Sequence, residues 1–149
     1  MIKFFKLLIL MMMFFGCSYV PVHINKDFNF QIIEINFEGE KFINEIIRNK
    51  LERNETGEKK YRIYYKTTKI KEIVSSDTKG DPKIFKLKIN LEYIVYDEDK
   101  KIFENNIIKQ ISYDSIDDKY ELSQYEENIL KNLSNKISED ILFSIKLLN

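Results

Sequence analysis

Alternation of apolar and polar residues predicts four β-strands. The first strand begins at Phe28, and its apolar set changes parity at Ile32 and Ile33, which predicts a β-bulge there. Residues 61–74 and residues 84–96 are the second and third strands, and the latter has the clearest period of two. A "DEDKK" turn then closes a tight hairpin with the fourth strand, whose apolar positions are Phe103, Ile107, Ile111 and Tyr113.

Helical spacing of apolar residues predicts two helices. Residues 40–53 are the first, with apolar positions three and four apart and acidic residues near the start, where the helix dipole favours them. The second begins after a polar connection at residues 115–119 and is about 28 residues, or about 42 Å, long. Its stripe is Leu122, Tyr125, Ile129, Leu133, Ile137, Ile141, Ile145 and Leu148.

The element order β-α-β-β-β-α predicts the fold class. A strand–helix–strand unit favours a right-handed crossover between parallel strands, and tight hairpins then add antiparallel strands to the same sheet. An antiparallel sheet with one apolar face needs a cover for that face only. We therefore expect an α+β fold, in which a four-stranded mixed β-sheet has both α-helices packed on one face.

The first 27 residues lie outside this predicted fold. Residues 1–16 are typical of a secretory signal peptide, because two lysines precede an uncharged apolar run of nine residues. That run is too short to span a bilayer as a helix, which needs about 20 residues. Residues 17–27 lack periodicity and are predicted to be a lipidated tether that contains His23, and residues 28–149 form a single domain.

The only cysteine, Cys17, directly follows the small residue Gly16. This order resembles a bacterial lipobox, in which the chain is cut before the cysteine and the thiol receives lipid chains such as palmitate. Each buried acyl CH₂ contributes about 0.8 kcal/mol, so several chains hold a protein on a membrane. Phe14 stands where a lipobox usually has leucine. Cleavage after Ser18 and an uncleaved anchor are the alternatives.

Charge and composition disfavour several classes of function. The 24 basic and 24 acidic residues give a formal net charge of +0, which argues against a nucleic-acid coat. The sequence shows no phosphate loop, dinucleotide glycine pattern or paired-cysteine metal motif. With one histidine, in the tether, a Ser–His–Asp or Cys–His site is disfavoured. We expect no enzyme, cofactor or metal, although a pair of catalytic carboxylates stays an alternative.

A basic stripe is predicted on the face of the sheet away from the helices. A bulge near residues 67–69 would keep the apolar residues of the second strand inward on both sides and turn its lysines outward. The candidates on this strand and the next are Lys66, Lys69, Lys71, Lys86 and Lys88. Such a stripe would attract anionic lipid or phosphorylated sugar. The alternative is a solvated strand face that lysines keep soluble.

Three apolar or aromatic residues are predicted beside those lysines on the same face. They are Tyr64, Ile94 and Tyr96. An exposed aromatic patch is a candidate surface for a protein partner.

The pattern across nearly the whole chain resembles the lipopolysaccharide-assembly lipoprotein family, LptE, of Gram-negative bacteria. "CSYVPV" at the cysteine is followed by a strand, a helix, three strands and a long helix that begins in "SYDSIDDKYELSQYEENIL". The segments "YRIYYKT" and "FKLKINLEYIVYDEDKKIFENN" are similar to the family's second strand and its following hairpin. The chain departs from the family at Phe14 and in "VPVH", where members often have Pro, Leu and Tyr.

The resemblance implies binding and assembly rather than catalysis. Family members plug the lumen of the large LptD-type outer-membrane β-barrel, assist its folding and bind lipopolysaccharide at the last export step. The resemblance therefore implies a lipid-anchored protein of the outer membrane, whose partners are that barrel and lipopolysaccharide. Ser18 after the cysteine also implies sorting to the outer membrane. A second hypothesis is an auxiliary substrate-binding lipoprotein of a lipid or solute transporter. A deep apolar pocket between helix and sheet would favour it, whereas a filled core would favour the plug.

Overall fold

The computed structural model describes residues 29–53 and 57–148 of the 149-residue chain. Its elements are β1 (Phe30–Gly39), α1 (Lys41–Glu52), β2 (Lys59–Ser76), β3 (Pro82–Asp97), β4 (Lys100–Asp114) and α2 (Lys119–Lys146). This order confirms the predicted α+β fold. The predicted signal peptide and tether, with Cys17, lie outside the described residues.

The four strands form one mixed sheet in the order β1-β2-β3-β4. Strand β1 is parallel to β2, and α1 makes the crossover between them. The pairs β2–β3 and β3–β4 are antiparallel, as expected for strands joined by hairpins. The turn after β3 is tight, since Asp97 pairs with Lys100 and Glu98 between them has a φ of 50°.

The core lies between one face of this sheet and both helices. Alternate residues of β2 and β3 face the helices, and apolar residues of α1 and α2 meet them at helical spacing. Fully buried members include Phe30, Ile43, Ile47, Leu51, Ile63, Tyr65, Leu87, Ile89, Leu91, Tyr93, Ile137 and Ile141. These side chains belong to one continuous cluster between the helices and the sheet.

Helix α2 has the predicted length of 28 residues. Asp118 caps its start, because its side chain accepts hydrogen bonds from the backbone N–H groups of Tyr120 and Glu121. The predicted apolar stripe is buried from Ile129 to Ile145, whereas Tyr125 in the preceding turns is exposed and Leu148 lies beyond the end of the helix. The N-terminal third of α2 therefore lies at the margin of the core.

The predicted bulge in β1 is confirmed. Ile32 pairs with Tyr61, and the next paired residue of β1 is Glu34, opposite Arg62. Ile33 is the extra residue and its side chain is exposed. The insertion lets the apolar residues on both sides of the bulge face the helices.

A buried polar network fixes the junction between β1 and α1. Thr67 donates a hydrogen bond from Oγ1 to Asn44 Oδ1 at 2.7 Å, and Tyr65 donates from its hydroxyl to the Asn44 carbonyl at 2.9 Å. The Asn44 amide in turn donates to the Glu38 carbonyl. Gly39 has a φ of 101°, and a Cβ there would lie 2.0 Å from the Thr67 carbonyl oxygen. The chain can therefore turn from strand to helix here only with glycine.

Candidate binding surfaces

The face of the sheet opposite the helices, called the open face below, carries the predicted site residues of even number. Directly opposed residues in antiparallel strands point to the same face. Tyr64 opposes Ile94 and Lys66 opposes Glu92 on the open face, whereas Tyr65 opposes Tyr93 in the core. The open face therefore presents a mixture of aromatic, basic and acidic side chains.

Tyr64, Ile94 and Tyr96 form the tyrosine patch of the open face. Their predicted outward direction is confirmed, and all three are half-buried by neighbours on the face. A hydrogen bond with the Glu38 carboxylate, with burial second, raises the pKa of Tyr64. A depression of about 290 Å³ beside the patch is lined by Tyr64, Tyr96 and charged neighbours. The patch is a shallow surface suited to a broad contact.

Arg62 sits at one end of the tyrosine patch and connects three parts of the sheet. Its Nη2 donates to Asp99 Oδ1 at 2.7 Å, and its Nε donates to the Glu98 carbonyl at 3.0 Å. Its Nη1 lies 3.9 Å from a Glu34 carboxylate oxygen. The guanidinium thus joins β1, β2 and the β3–β4 turn.

Three of the five candidate lysines lie on the open face. Lys86 Nζ is 2.7 Å from Glu72 Oε2, and this contact holds the pKa of Glu72 below its usual value. Lys66 lies beside Glu38 of β1 as well as opposite Glu92, and Lys88 opposes Ile70. The open face is therefore charge-balanced around the lysines rather than uniformly basic.

The predicted outward direction of Lys69 and Lys71 is wrong. The register of β2 against β3 runs without a shift from Tyr61 to Ile73, so the bulge expected near residues 67–69 is absent. Lys69 opposes the fully buried Ile89 and therefore points to the helix side. The five lysines do not form one stripe, and register shifts in β2 occur only after Ile73.

Contacts from the helices explain why lysines are tolerated on that side. Lys71 Nζ lies 2.5 Å from Glu126 Oε1 in α2 and 4.2 Å from the centroid of the Phe85 ring. Lys69 Nζ lies 3.6 Å from Glu40, the residue before α1. Here β2 extends past the apolar core, so long cationic side chains reach carboxylates at its margin.

The sequence did not predict the contact between Glu126 and Tyr113. Tyr113 donates from its hydroxyl to Glu126 Oε1 at 2.7 Å, the same oxygen that Lys71 contacts. Burial, followed by the contact with Glu126, raises the pKa of Tyr113. A signal was present, since Glu126 lies four residues after Leu122 and three before Ile129, within the apolar stripe of α2.

A cleft of about 830 Å³ lies where the β2–β3 hairpin meets the connection from β4 to α2. Asp77 shapes the hairpin tip by accepting hydrogen bonds from the backbone N–H groups of Lys79 and Asp81. The Ser115 N–H donates to the Lys83 carbonyl and ties the two walls together. The lining includes four aspartates, two lysines and the apolar residues Pro82, Ile84, Phe85, Ile116 and Leu122.

Few polar side chains are buried in the described part of the chain. Within residues 29–53 and 57–148, the buried polar side chains are Asn44, Thr67, Ser134 and Ser138. No group of three or more His, Cys, Asp or Glu side chains in these ranges is arranged to hold a metal ion. Neither described helix combines the length and the apolar character that crossing a bilayer requires.

Comparison with known proteins identifies the fold. Rare lipoprotein B from Shewanella oneidensis matches with a TM-score of 0.59 at 15% identity, covering 75% of this chain and 92% of that one. A minor lipoprotein from Acinetobacter baumannii gives 0.59 at 10% identity, covering 80% and 92%. Lipoprotein B from Nitrosomonas europaea gives 0.57 at 16% identity, covering 81% and 87%. No protein-family model matches the chain, and no curated protein matches it in sequence.

Proposed function

We propose that this chain is an outer-membrane lipoprotein, lipidated at Cys17, that acts as the plug and assembly partner of an LptD-type β-barrel. The carrying observation is the shared fold, which extends over about nine tenths of the length of several bacterial lipoproteins. Rare lipoprotein B is another name for the LptE family. The lipobox-like order at Cys17 supports the same proposal independently, because it comes from residues outside the compared fold.

The shape of the domain supports a plug over the auxiliary substrate-binding lipoprotein. A continuous cluster of buried side chains lies between both helices and the sheet, where a lipid or solute would otherwise need a pocket. The 830 Å³ cleft lies at the margin of this core, and four aspartates line it beside its apolar residues. The open face instead offers a broad polar and aromatic surface around the tyrosine patch. The interior of an outer-membrane barrel is polar, so such a face suits its wall better than an apolar face would.

Recovery of the barrel with the protein from detergent extracts tests the assembly role. We expect an LptD-type barrel to co-purify with the wild-type chain, and its recovery to fall when Tyr64 and Tyr96 are both replaced by Ala. Tyr120→Ala is the matched control, since Tyr120 is an exposed tyrosine on α2. Full assembly of the barrel in cells that lack this protein would refute the role.

The intact mass of the mature protein tests lipidation. Cleavage before Cys17 with added acyl chains is expected for the wild type, and Cys17→Ser should abolish both. A mature chain that begins after Ser18 would assign the signal to ordinary cleavage instead.

Lipopolysaccharide contact is proposed for the lysines of β2 and β3, now divided by the structure into two groups. Replacing Lys66, Lys86 and Lys88 with Gln changes the open face, and replacing Lys69 and Lys71 with Gln changes the margin beside the helices. Binding of purified lipopolysaccharide at low salt should fall with one group and be retained with the other, because only lysines on the same face reach one headgroup. Unchanged binding in both variants would remove the lysines from the proposal.

A further inference from the structure

The two edges of the sheet differ in how open they are to pairing. Strand β1 has 10 residues, is interrupted by the bulge at Ile33 and ends at Gly39. Strand β4 has 15 residues without Gly or Pro, and within the described residues it pairs only with β3. Its register is continuous from Phe103 to Asp114. A long, regular strand with one unpaired side is a template for another strand.

Exposed apolar side chains are concentrated beside that edge. On β4 itself, Ile108 is 51% exposed and Ile111 is 41% exposed. Asp140 of α2 contacts Lys109 of β4 at 2.5 Å, so the side of α2 that carries Asp140 lies toward β4. Phe143 and Leu147 follow Asp140 by three and seven residues and share that side of the helix, with exposures of 61% and 71%.

We propose that the free protein, before it plugs a barrel, binds a second copy of the chain through this edge. The β4 strands of the two copies would pair antiparallel about a two-fold axis near Ile107, which joins the two sheets into one of eight strands. In this register Phe103 opposes Ile111 of the other copy. The end of one strand that carries Lys100 and Lys101 then lies near the end of the other that carries Asp114, so the charges at the two ends attract each other.

The position of α2 agrees with this axis. Asp140, in the last two turns of α2, lies 2.5 Å from Lys109 in the middle of β4, which places the end of α2 above the middle of that strand. A two-fold axis perpendicular to the sheet keeps both helical layers on one side. Phe143 of each copy would therefore approach the axis and cover the other.

Lys109 would normally oppose such pairing, because an inward-facing lysine on an edge strand is a known guard against edge-to-edge contact. Here its ammonium already pairs with Asp140 of the same copy. The charge is satisfied within each subunit and need not move when the edges meet.

Sedimentation velocity of the full chain in detergent over a concentration series tests the proposal. A monomer–dimer equilibrium is expected, and Phe143→Lys together with Leu147→Lys should weaken dimerisation by at least about tenfold, since each places an unpaired charge in the contact. Ile73→Lys is the matched control, because Ile73 is 59% exposed near the β2–β3 hairpin. Circular dichroism verifies that each variant is folded.

Disulfide trapping tests the register separately. Asn106 and Ile108 of opposite copies would face each other on the open face, at the Cα separation of about 4.5–5.5 Å that a disulfide tolerates. Asn106→Cys with Ile108→Cys, in a Cys17→Ser background, should yield covalent dimers, whereas Lys79→Cys at an exposed turn should not.

Two outcomes would overturn the proposal: a monomer at every soluble concentration, or a dimer that the two lysine substitutions leave intact. If the protein were a monomer and its β4 amides were still protected from hydrogen exchange, another segment of the chain or a detergent-bound partner would cover this edge instead. None of these results depends on recovery of the barrel, so failure of the dimer and failure of the proposed function are distinguishable.

Discussion

The two halves of β2 place different residues on the same face of one strand. In the first half, Tyr61, Ile63 and Tyr65 face the helices and are buried. In the second half, Lys69 and Lys71 face the same side and contact carboxylates near α1 and in α2. The strand does not rotate to keep its lysines in water, because its register against β3 is continuous.

The difference shows that register, rather than side-chain polarity, decides which way each residue of β2 points. Reversing the face would require a bulge, which breaks ladder hydrogen bonds on both sides. An ion pair at the margin of the core leaves that ladder intact. Thr67 marks the boundary, since it is the last buried residue of the strand and joins the polar network at Asn44.

The largest expected effect comes from truncating the buried half. Ile63→Ala should lower the free energy of unfolding by about 2–5 kcal/mol, because it removes buried methyl groups and leaves a cavity. Ile73→Ala, on the same face in the exposed half, should change it by less than about 0.5 kcal/mol. Urea unfolding measures both. Equal effects would contradict the division of β2 into two halves.

A smaller loss is expected at the boundary itself. Thr67→Val keeps the side-chain shape but removes the hydroxyl that donates to Asn44 and accepts from the Glu40 N–H. Leaving these buried partners without a hydrogen bond should cost about 1–3 kcal/mol in urea unfolding. Thr68→Val, at the next position and exposed, is the control and should be close to neutral. An unchanged free energy of unfolding for Thr67→Val would mean that this network does not stabilise the crossover from β1 to β2.

Unfolding at alkaline pH tests the contact between Tyr113 and Glu126 at the margin of the core. The folded-state pKa of Tyr113 is raised above its usual value of 10.0, chiefly by burial and then by Glu126. The unfolded chain therefore loses this proton first, so the stabilisation is present below pH 10 and is lost as pH rises through the folded-state pKa. Tyr113→Phe should flatten the fall in unfolding free energy above pH 10. A curve as steep as that of the wild type, or of the control Tyr120→Phe, would contradict this.

The smallest effect is expected for the ion pairs of the second half. Lys71→Met keeps the stem beside Phe85 and removes the charge that contacts Glu126, so the free energy of unfolding should fall by at most about 1 kcal/mol. The difference from wild type should shrink in high salt. Lys66→Met on the open face is the control. If Lys71→Met lost as much stability as Ile63→Ala, the second half of β2 would belong to the core.

Local patterns in the sequence predicted most of the fold. The stripe of α2 from Ile129 to Ile145, the bulge at Ile33 and the turn at Glu98 each follow from residues close together in the chain, and the structure confirms all three. The error in β2 has a different origin. The register of β2 turns Lys71 inward, and the lysine is tolerated there because it contacts Glu126, which is 55 residues away in sequence. Apolar alternation carries no information about such a partner. The prediction therefore placed the lysines in water, and it needed a bulge that the strand does not have.

The candidate surfaces were predicted less completely than the fold. The tyrosine patch follows from strict alternation in β2 and β3, so its direction could be derived. The edge beside β4 could not, because it depends on which strand ends up at the border of the sheet and on how α2 lies above it. Phe143 looks like one more apolar residue of a helix until Asp140 shows which side of α2 faces β4.

Arg62 gives the sheet a form of cooperativity that its strand ladders alone do not provide. The two edges of a four-stranded sheet can ordinarily fray independently. Here one guanidinium, in β2, contacts Glu34 in the first strand and Asp99 at the turn that begins the last. Opening either edge removes one partner of Arg62, so the guanidinium is less firmly positioned against the other edge. Amide exchange in β1 should therefore respond to events at the β3–β4 turn, so a partner that binds one border of the sheet is felt at the opposite border.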